Sequence, residues 1–145
     1  MKQRHGKTMF ILLISALVML VGIACAAEPG TPMTVAQLRD RWAQINYQTN
    51  KSQRQIAFEA LASQAAKTRQ TEPRNAGALI WEGIVLSSLA GEKGGMGALS
   101  LVKQARADFE AALKIDPNAL QGAAYTSLGA LYYQVPGWPL GFGND

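Results

Sequence analysis

The sequence predicts an all-α chain, and three observations carry that reading. Alanine is abundant and β-branched runs are short, a composition that favours helix over strand. Apolar residues recur every three or four positions, the period of one helical face. Between these stretches stand capping and breaking residues, and no convincing alternating strand pattern occurs anywhere.

The first helix opens at Thr34, because Thr34-x-x-Gln37 is a capping-box pattern. Val35, Leu38, Trp42 and Ile45 then form one apolar stripe, which Asn50 and Ser52 punctuate. Ser52-x-x-Gln55 opens a second helix with Ile56, Ala60, Leu61 and Ala65 inward, running to about Gln70 and closed by Thr71-Glu72-Pro73. A third helix runs from about Asn75 to Ala90. The glycine-rich stretch 91–97 reads as a connector. A fourth runs from about Ala98 to Lys114, burying Val102, Ala105, Phe109, Ala112 and Leu113, and Asp116-Pro117 ends it, since proline disfavours helix in the residue before it. A fifth covers about Ala119 to Tyr133, with Leu120, Ala124, Leu128, Leu131 and Tyr132 on its apolar side.

Residues 1–26 read as an export signal rather than as part of the fold. Lys2, Arg4 and Lys7 are followed by an uncharged stretch from Thr8 to Ala27, which ends in small residues at Ala24-Cys25-Ala26-Ala27. Ala24-x-Ala26 suits cleavage before Ala27. Two alternatives remain open, lipidation at Cys25 after a poorly matched Gly22-Ile23-Ala24 box, and retention of the apolar stretch as a membrane anchor. Residues 27–33 then form a linker, and 34–145 the helical domain. The expected location is periplasmic or secreted, with membrane attachment only through the signal helix or a lipid.

Removing the signal changes the charge argument. The chain has 14 Lys plus Arg against 10 Asp plus Glu, and three of the cations lie in the signal, so the mature protein is near about +1. The remaining cations are scattered, which argues against a nucleic-acid partner. His5 and Cys25 are the only His and Cys, and both precede Ala27. A cleaved chain therefore lacks imidazole and thiol, excluding Ser-His-Asp or Cys-His catalysis, His or Cys zinc sites, and disulfides. Asp108 and Glu110 lie two apart on a predicted helix and point to different faces. No catalytic residue, metal ligand or cofactor site is expected, and the protein reads as a non-enzyme.

Two spaced motifs follow one another. The fourth helix carries Ala105-x-x-x-Phe109-x-x-Ala112 and then Ile115-Asp116-Pro117. The fifth carries Tyr125-x-x-Leu128-Gly129-x-x-Tyr132. The third has a weaker version of the second motif, Leu79, Gly83 and Leu86, with Glu82 where leucine is usual, and Pro73 lies ten residues ahead of Gly83. These residues resemble the tetratricopeptide repeat family over about 51–145, best at 101–133. The resemblance implies antiparallel helix pairs stacked as an α-solenoid. Glycine and alanine would let helices approach, Phe109 would fill the gap, and Tyr125 and Tyr132 would share a side.

Gly83 to Gly129 spans 46 residues, against a repeat of about 34. The excess predicts that 91–97 and the closing stretch Pro136–Asp145 are both extended connectors on one edge of the stack. A further helix is expected after Asp145, so the repeat reads as truncated. Gly129-Ala130-Leu131-Tyr132 running into Pro136-Gly137 and Gly141, together with export, resembles the T-component family of TRAP-type transport systems.

Two functions follow. One is an exported adaptor or scaffold that binds another protein or peptide segment on Ile80, Ile84, Ser87, Thr126, Ala130 and Tyr133, or self-associates. The other is a TRAP-type transport accessory that binds a small ligand or a solute-binding protein, with Trp138 and Phe142 at its pocket. Local packing of Trp138 and Phe142 over the apolar end of the stack competes with that second role.

Overall fold

The computed structural model describes residues 31–137 and 141–143. Five α-helices pack consecutively: α1 Val35–Gln48, α2 Lys51–Thr71, α3 Ala76–Lys93, α4 Gly95–Ile115 and α5 Ala123–Gln134. No strand occurs among the described residues, so the chain is all-α. The export signal and Cys25 lie outside the described residues. No described helix is long and apolar enough to cross a membrane.

The sequence signals act where the chain places them. Thr34 caps α1 in a full capping box: its Oγ1 accepts from Gln37 N at 3.2 Å, and Thr34 N donates to Gln37 Oε1 at 2.8 Å. The Asn75 side chain accepts from Ala78 N and starts α3. α2 begins one residue earlier than its Ser52 signal, and its buried side is Phe58, Leu61, Ala65 and Thr68. Ile56, expected inside, is 70% exposed, and Ala60 also faces out. The inward stripe of α2 follows Phe58, the largest apolar side chain available to it.

α3 is the central helix, and its burial explains why it carries little charge. Leu38, Ile45, Phe58, Leu61 and Ala65 of α1 and α2 pack with Val85 and Leu89 on one side of it. Leu79, Ile80, Leu86 and Ala90 pack on the other side with Val102, Ala105, Phe109 and Ala112 of α4, and with Ala124 and Leu131 of α5. The Trp42 indole N–H donates to Ser88 Oγ at 2.8 Å, and its ring meets Trp81 edge-on at 6.0 Å, tying α1 to α3.

Two expectations are corrected here. The stretch 91–97 is not an extended loop. α3 continues to Lys93, and Gly94, with φ of 63°, is the whole connection to α4. The glycines suggested a loop, but the two charged residues among them are anchored: Lys93 Nζ reaches Glu59 at 3.0 Å and Glu92 lies 3.7 Å from Arg54, both on α2. The second correction is the start of α5. Residues 119–122 form a tight turn in which Leu120, Gln121 and Gly122 all have positive φ, at 49°, 59° and 75°. Leu120 consequently stands apart from the apolar side of α5 and is exposed.

Candidate functional site

α3 and α5 share one residue pattern but meet different surroundings. In α3, Leu79, Glu82, Gly83 and Leu86 are all buried, and α4 covers them. A Cβ added to Gly83 would lie 2.6 Å from the Phe109 ring, so only glycine admits that ring without a shift. Phe109, Ala105 and Ala112 are fully buried in this contact. Pro117, at the exit of α4, is exposed.

The corresponding residues of α5 are Tyr125, Leu128, Gly129 and Tyr132. Tyr125 is 58% exposed, Gly129 is exposed with nothing within 4 Å of where a Cβ would stand, and Leu128 and Tyr132 are half-buried. Tyr125 and Gly129 therefore do not pack on α4, contrary to the expected register. The helix turns Ala124, Leu131 and the following Val135 inward instead. Its outward side is Tyr125, Thr126, Gly129, Ala130 and Tyr133, the last 88% exposed.

That outward side has an unusual composition for a solvated helix face. No Asp, Glu, Lys or Arg occurs between Pro117 and Asp145. The outer faces of α1, α2 and α4 carry Arg39, Asp40, Lys51, Lys67, Lys103 and Lys114. Water usually faces such charges, and the exposed side of α5 presents Tyr125 and Tyr133 without them.

The sequence-derived binding residues separate into three groups. Thr126, Ala130 and Tyr133 lie together on the open side of α5. Ile80 is fully buried and Ile84 is half-buried against the core, so Ile80 offers nothing to a partner. Ser87 is half-buried, and its hydroxyl donates to Gly83 O at 2.7 Å. Trp138 lies outside the described residues. Phe142 packs locally: it meets Tyr132 edge-on at 5.7 Å, and the Arg106 guanidinium sits 5.0 Å from its centroid and 5.4 Å from that of Tyr132. Arg106 Nε also donates to Glu110 at 2.7 Å. Gly141 N donates to Gly137 O and Gly143 N to Pro136 O, each at 3.0 Å.

A cavity of about 450 Å³ lies where the α3–α4 turn faces the end of α5. Ser87, Met96, Val102, Leu131, Gln134 and Pro136 are among its lining residues, and the lining is mostly apolar. Its size suits a small ligand.

The charged residues inside the fold are a feature that motif reading missed. Glu82 and Asp108 are buried on facing helices, and Arg69 of α2 pairs with Glu82. Arg69 Nε pairs with Glu82 Oε2 at 2.5 Å, while Gln104 donates to Glu82 Oε1 at 3.3 Å. Asp108 Oδ2 has no hydrogen-bond partner. Burial, and then the charge of Glu82, push the Asp108 carboxyl up to about 7, with Arg69 opposing. Burial also raises Glu82, against the attraction of Arg69. The only sequence signal was Glu82 standing at the position where the spacing shared with α5 has Leu128. Neither this cavity nor the shallow one beside Phe142 is lined by Glu82 or Asp108. No group of three or more potential metal-binding side chains occurs among the described residues.

Comparison with protein-family models, curated proteins and solved structures returns no match for this chain.

Proposed function

We propose that the chain is an exported, tetratricopeptide-like interaction module, a small α-solenoid that serves as an adaptor or scaffold through α5 and performs no catalysis of its own. The observation that carries this reading is the uncharged, tyrosine-bearing outer face of α5. Consecutive packing of α1 to α5, and the Gly83–Phe109 contact, support the solenoid. The export reading rests on the basic, apolar and small-residue order of residues 1–27. Intact mass and N-terminal sequencing should give a start at Ala27; a lipidated Cys25 would replace a free periplasmic protein with a membrane-anchored one.

A photo-crosslinking residue at Thr126 tests the binding face in cells that export the chain. Covalent adducts to protein are expected from position 126 and not from Gln53, on the exposed side of α2. Equal adduct yields at the two positions would show that α5 is not a preferred surface.

The apolar cavity beside Ser87 favours a second reading, a TRAP-type transport accessory that takes a small ligand there. Val102→Trp would narrow the cavity. Loss of a saturable fluorescence response to an apolar probe in that variant is the expected outcome if the cavity binds.

A further inference from the structure

We infer that the buried Glu82–Asp108 pair is a proton-controlled latch: a proton held there keeps α4 and α5 closed on α3, and its loss lets those two helices swing away about Gly94.

The carboxyls stand where the seam closes. Glu82 precedes Gly83 on α3 and Asp108 precedes Phe109 on α4, so both acids adjoin the contact of glycine with ring. Glu82 is 1% exposed and Asp108 8%. Gln104 to Glu82, at 3.3 Å, is the only side-chain hydrogen bond between α3 and α4 among the described residues, and no ion pair joins the two helices there.

Two carboxyls share one cation. Arg69 of α2 pairs with Glu82 at 2.5 Å, and Asp108 Oδ2 is buried without a hydrogen-bond partner. The charges acting on Asp108 are Glu82 from α3, which repels it, and Arg69 from α2, which attracts it. On its own helix, Arg106 and Glu110 pair with each other. α5 and the turn before it bring no charge, because no Asp, Glu, Lys or Arg occurs between Pro117 and Asp145. Of the α5 tyrosines, Tyr132 lies against Arg106, and Tyr125 and Tyr133 are exposed. One guanidinium neutralises one carboxylate, and a second carboxylate left over in a buried site takes up a proton rather than stay charged. Burial and the charge of Glu82 accordingly hold the Asp108 carboxyl at about 7.

The helices on the two sides of α3 are separable. Buried residues of α1 and α2 pack with Val85 and Leu89, and those of α4 and α5 with Leu79, Ile80, Leu86 and Ala90. Trp42 to Ser88, Lys93 to Glu59 and Arg54 to Glu92 pin the first side to α3. The second side is joined in the chain through Gly94. Gly94 and Gly95 have φ of 63° and 55°, with nothing within 4 Å of a Cβ at either. Glycines with open space around them absorb the backbone rotation of a hinge.

Opening returns Asp108 to water and to its ordinary value of 3.8. From there to about 7 the closed chain keeps a proton that the open chain has released, so the open fraction rises with pH across that window and then levels.

Amide hydrogen exchange of the chain at about pH 5 and about pH 8, corrected for the intrinsic pH dependence of exchange and read peptide by peptide, tests the latch. Protection of α4 and α5 should fall by at least about tenfold at the higher pH, while that of α1 and α2 does not. Asp108→Asn keeps the shape of the protonated acid and cannot ionise, so it should leave α4 and α5 equally protected at both pH values. Protection of α4 and α5 that is independent of pH in the wild type overturns the inference, as does an equal loss in α1 and α2, which is unfolding of the whole domain. A pH-dependent loss that persists in Asp108→Asn assigns the proton elsewhere and overturns it as well. Should that variant not fold, the wild-type comparison of α4 and α5 with α1 and α2 decides alone.

Discussion

Helices α3 and α5 carry the same spacing of residues, yet α3 is the most enclosed of the described helices and α5 leaves the same positions exposed or half-buried. Gly83 has the Phe109 ring against it, and Gly129 has nothing. Leu79 and Leu86 are buried, while Tyr125 is exposed and Tyr132 half-buried. The difference teaches that a spacing of residues encodes what a helix can receive, not whether it receives it. α3 is covered because α4 follows Gly94 directly and lays small residues and a ring across it. α5 turns a different side, through Ala124 and Leu131, toward the body.

The most severe way to break the comparison is to remove the ring. Phe109→Ala leaves Gly83 facing a void and should cost about 3–5 kcal/mol in chemical denaturation. A typical domain stability of roughly 5–15 kcal/mol would lose much of its margin. A loss below about 1 kcal/mol would mean that the ring does not hold α3 to α4.

Adding one methyl group to each glycine sharpens the comparison further. Gly83→Ala drives a Cβ into Phe109 and should destabilise by about 1–3 kcal/mol. Gly129→Ala meets open space and restores helix propensity, so it should be neutral or stabilise by up to about 1 kcal/mol. Opposite signs for one substitution at matched positions are the signature to look for. Equal effects would erase the distinction between a covered and an open helix.

The α3–α4 seam also differs from α5 in carrying buried carboxyls. Asp108 holds its proton to about pH 7 in the folded chain, against an ordinary value of 3.8. Between those values the unfolded chain has released a proton that the folded chain keeps, so stability falls as pH rises from about 4 to about 7, then levels. Glu82 acts in the same direction. Asp108→Asn should flatten much of this slope, and should stabilise at about pH 8 by something on the order of 1 kcal/mol. Denaturation midpoints at about pH 5 and about pH 8 are the check. A wild-type midpoint that is independent of pH would show that the carboxyls are better solvated or paired than their burial implies.

The smallest effect belongs to the outer face of α5. Tyr133→Glu should change monomer stability by no more than about 0.5 kcal/mol, because the side chain is nearly free of neighbours. A larger loss in the monomer would place Tyr133 in the fold rather than at a contact.

The helices themselves were legible in the chain, because the physics that sets them is local. Thr34 and Gln37, Asn75, and Asp116-Pro117 act within one turn of their own position, and the inward face of α4 followed from the spacing of Val102, Ala105, Phe109 and Ala112. Composition alone also removed imidazole and thiol chemistry from any chain that begins at Ala27. Tertiary structure decided everything that depends on a second element. Ile56 faces water because Phe58 takes the inward side of α2. α3 runs through Gly91 because Glu92 and Lys93 find Arg54 and Glu59 on α2. Ile80, read as a binding residue, is sealed by the helices around it, and Tyr125 and Gly129 remain outside because no described helix lies over them. A residue's spacing fixes the direction in which it points along its own helix; what stands in that direction depends on where the rest of the chain has packed.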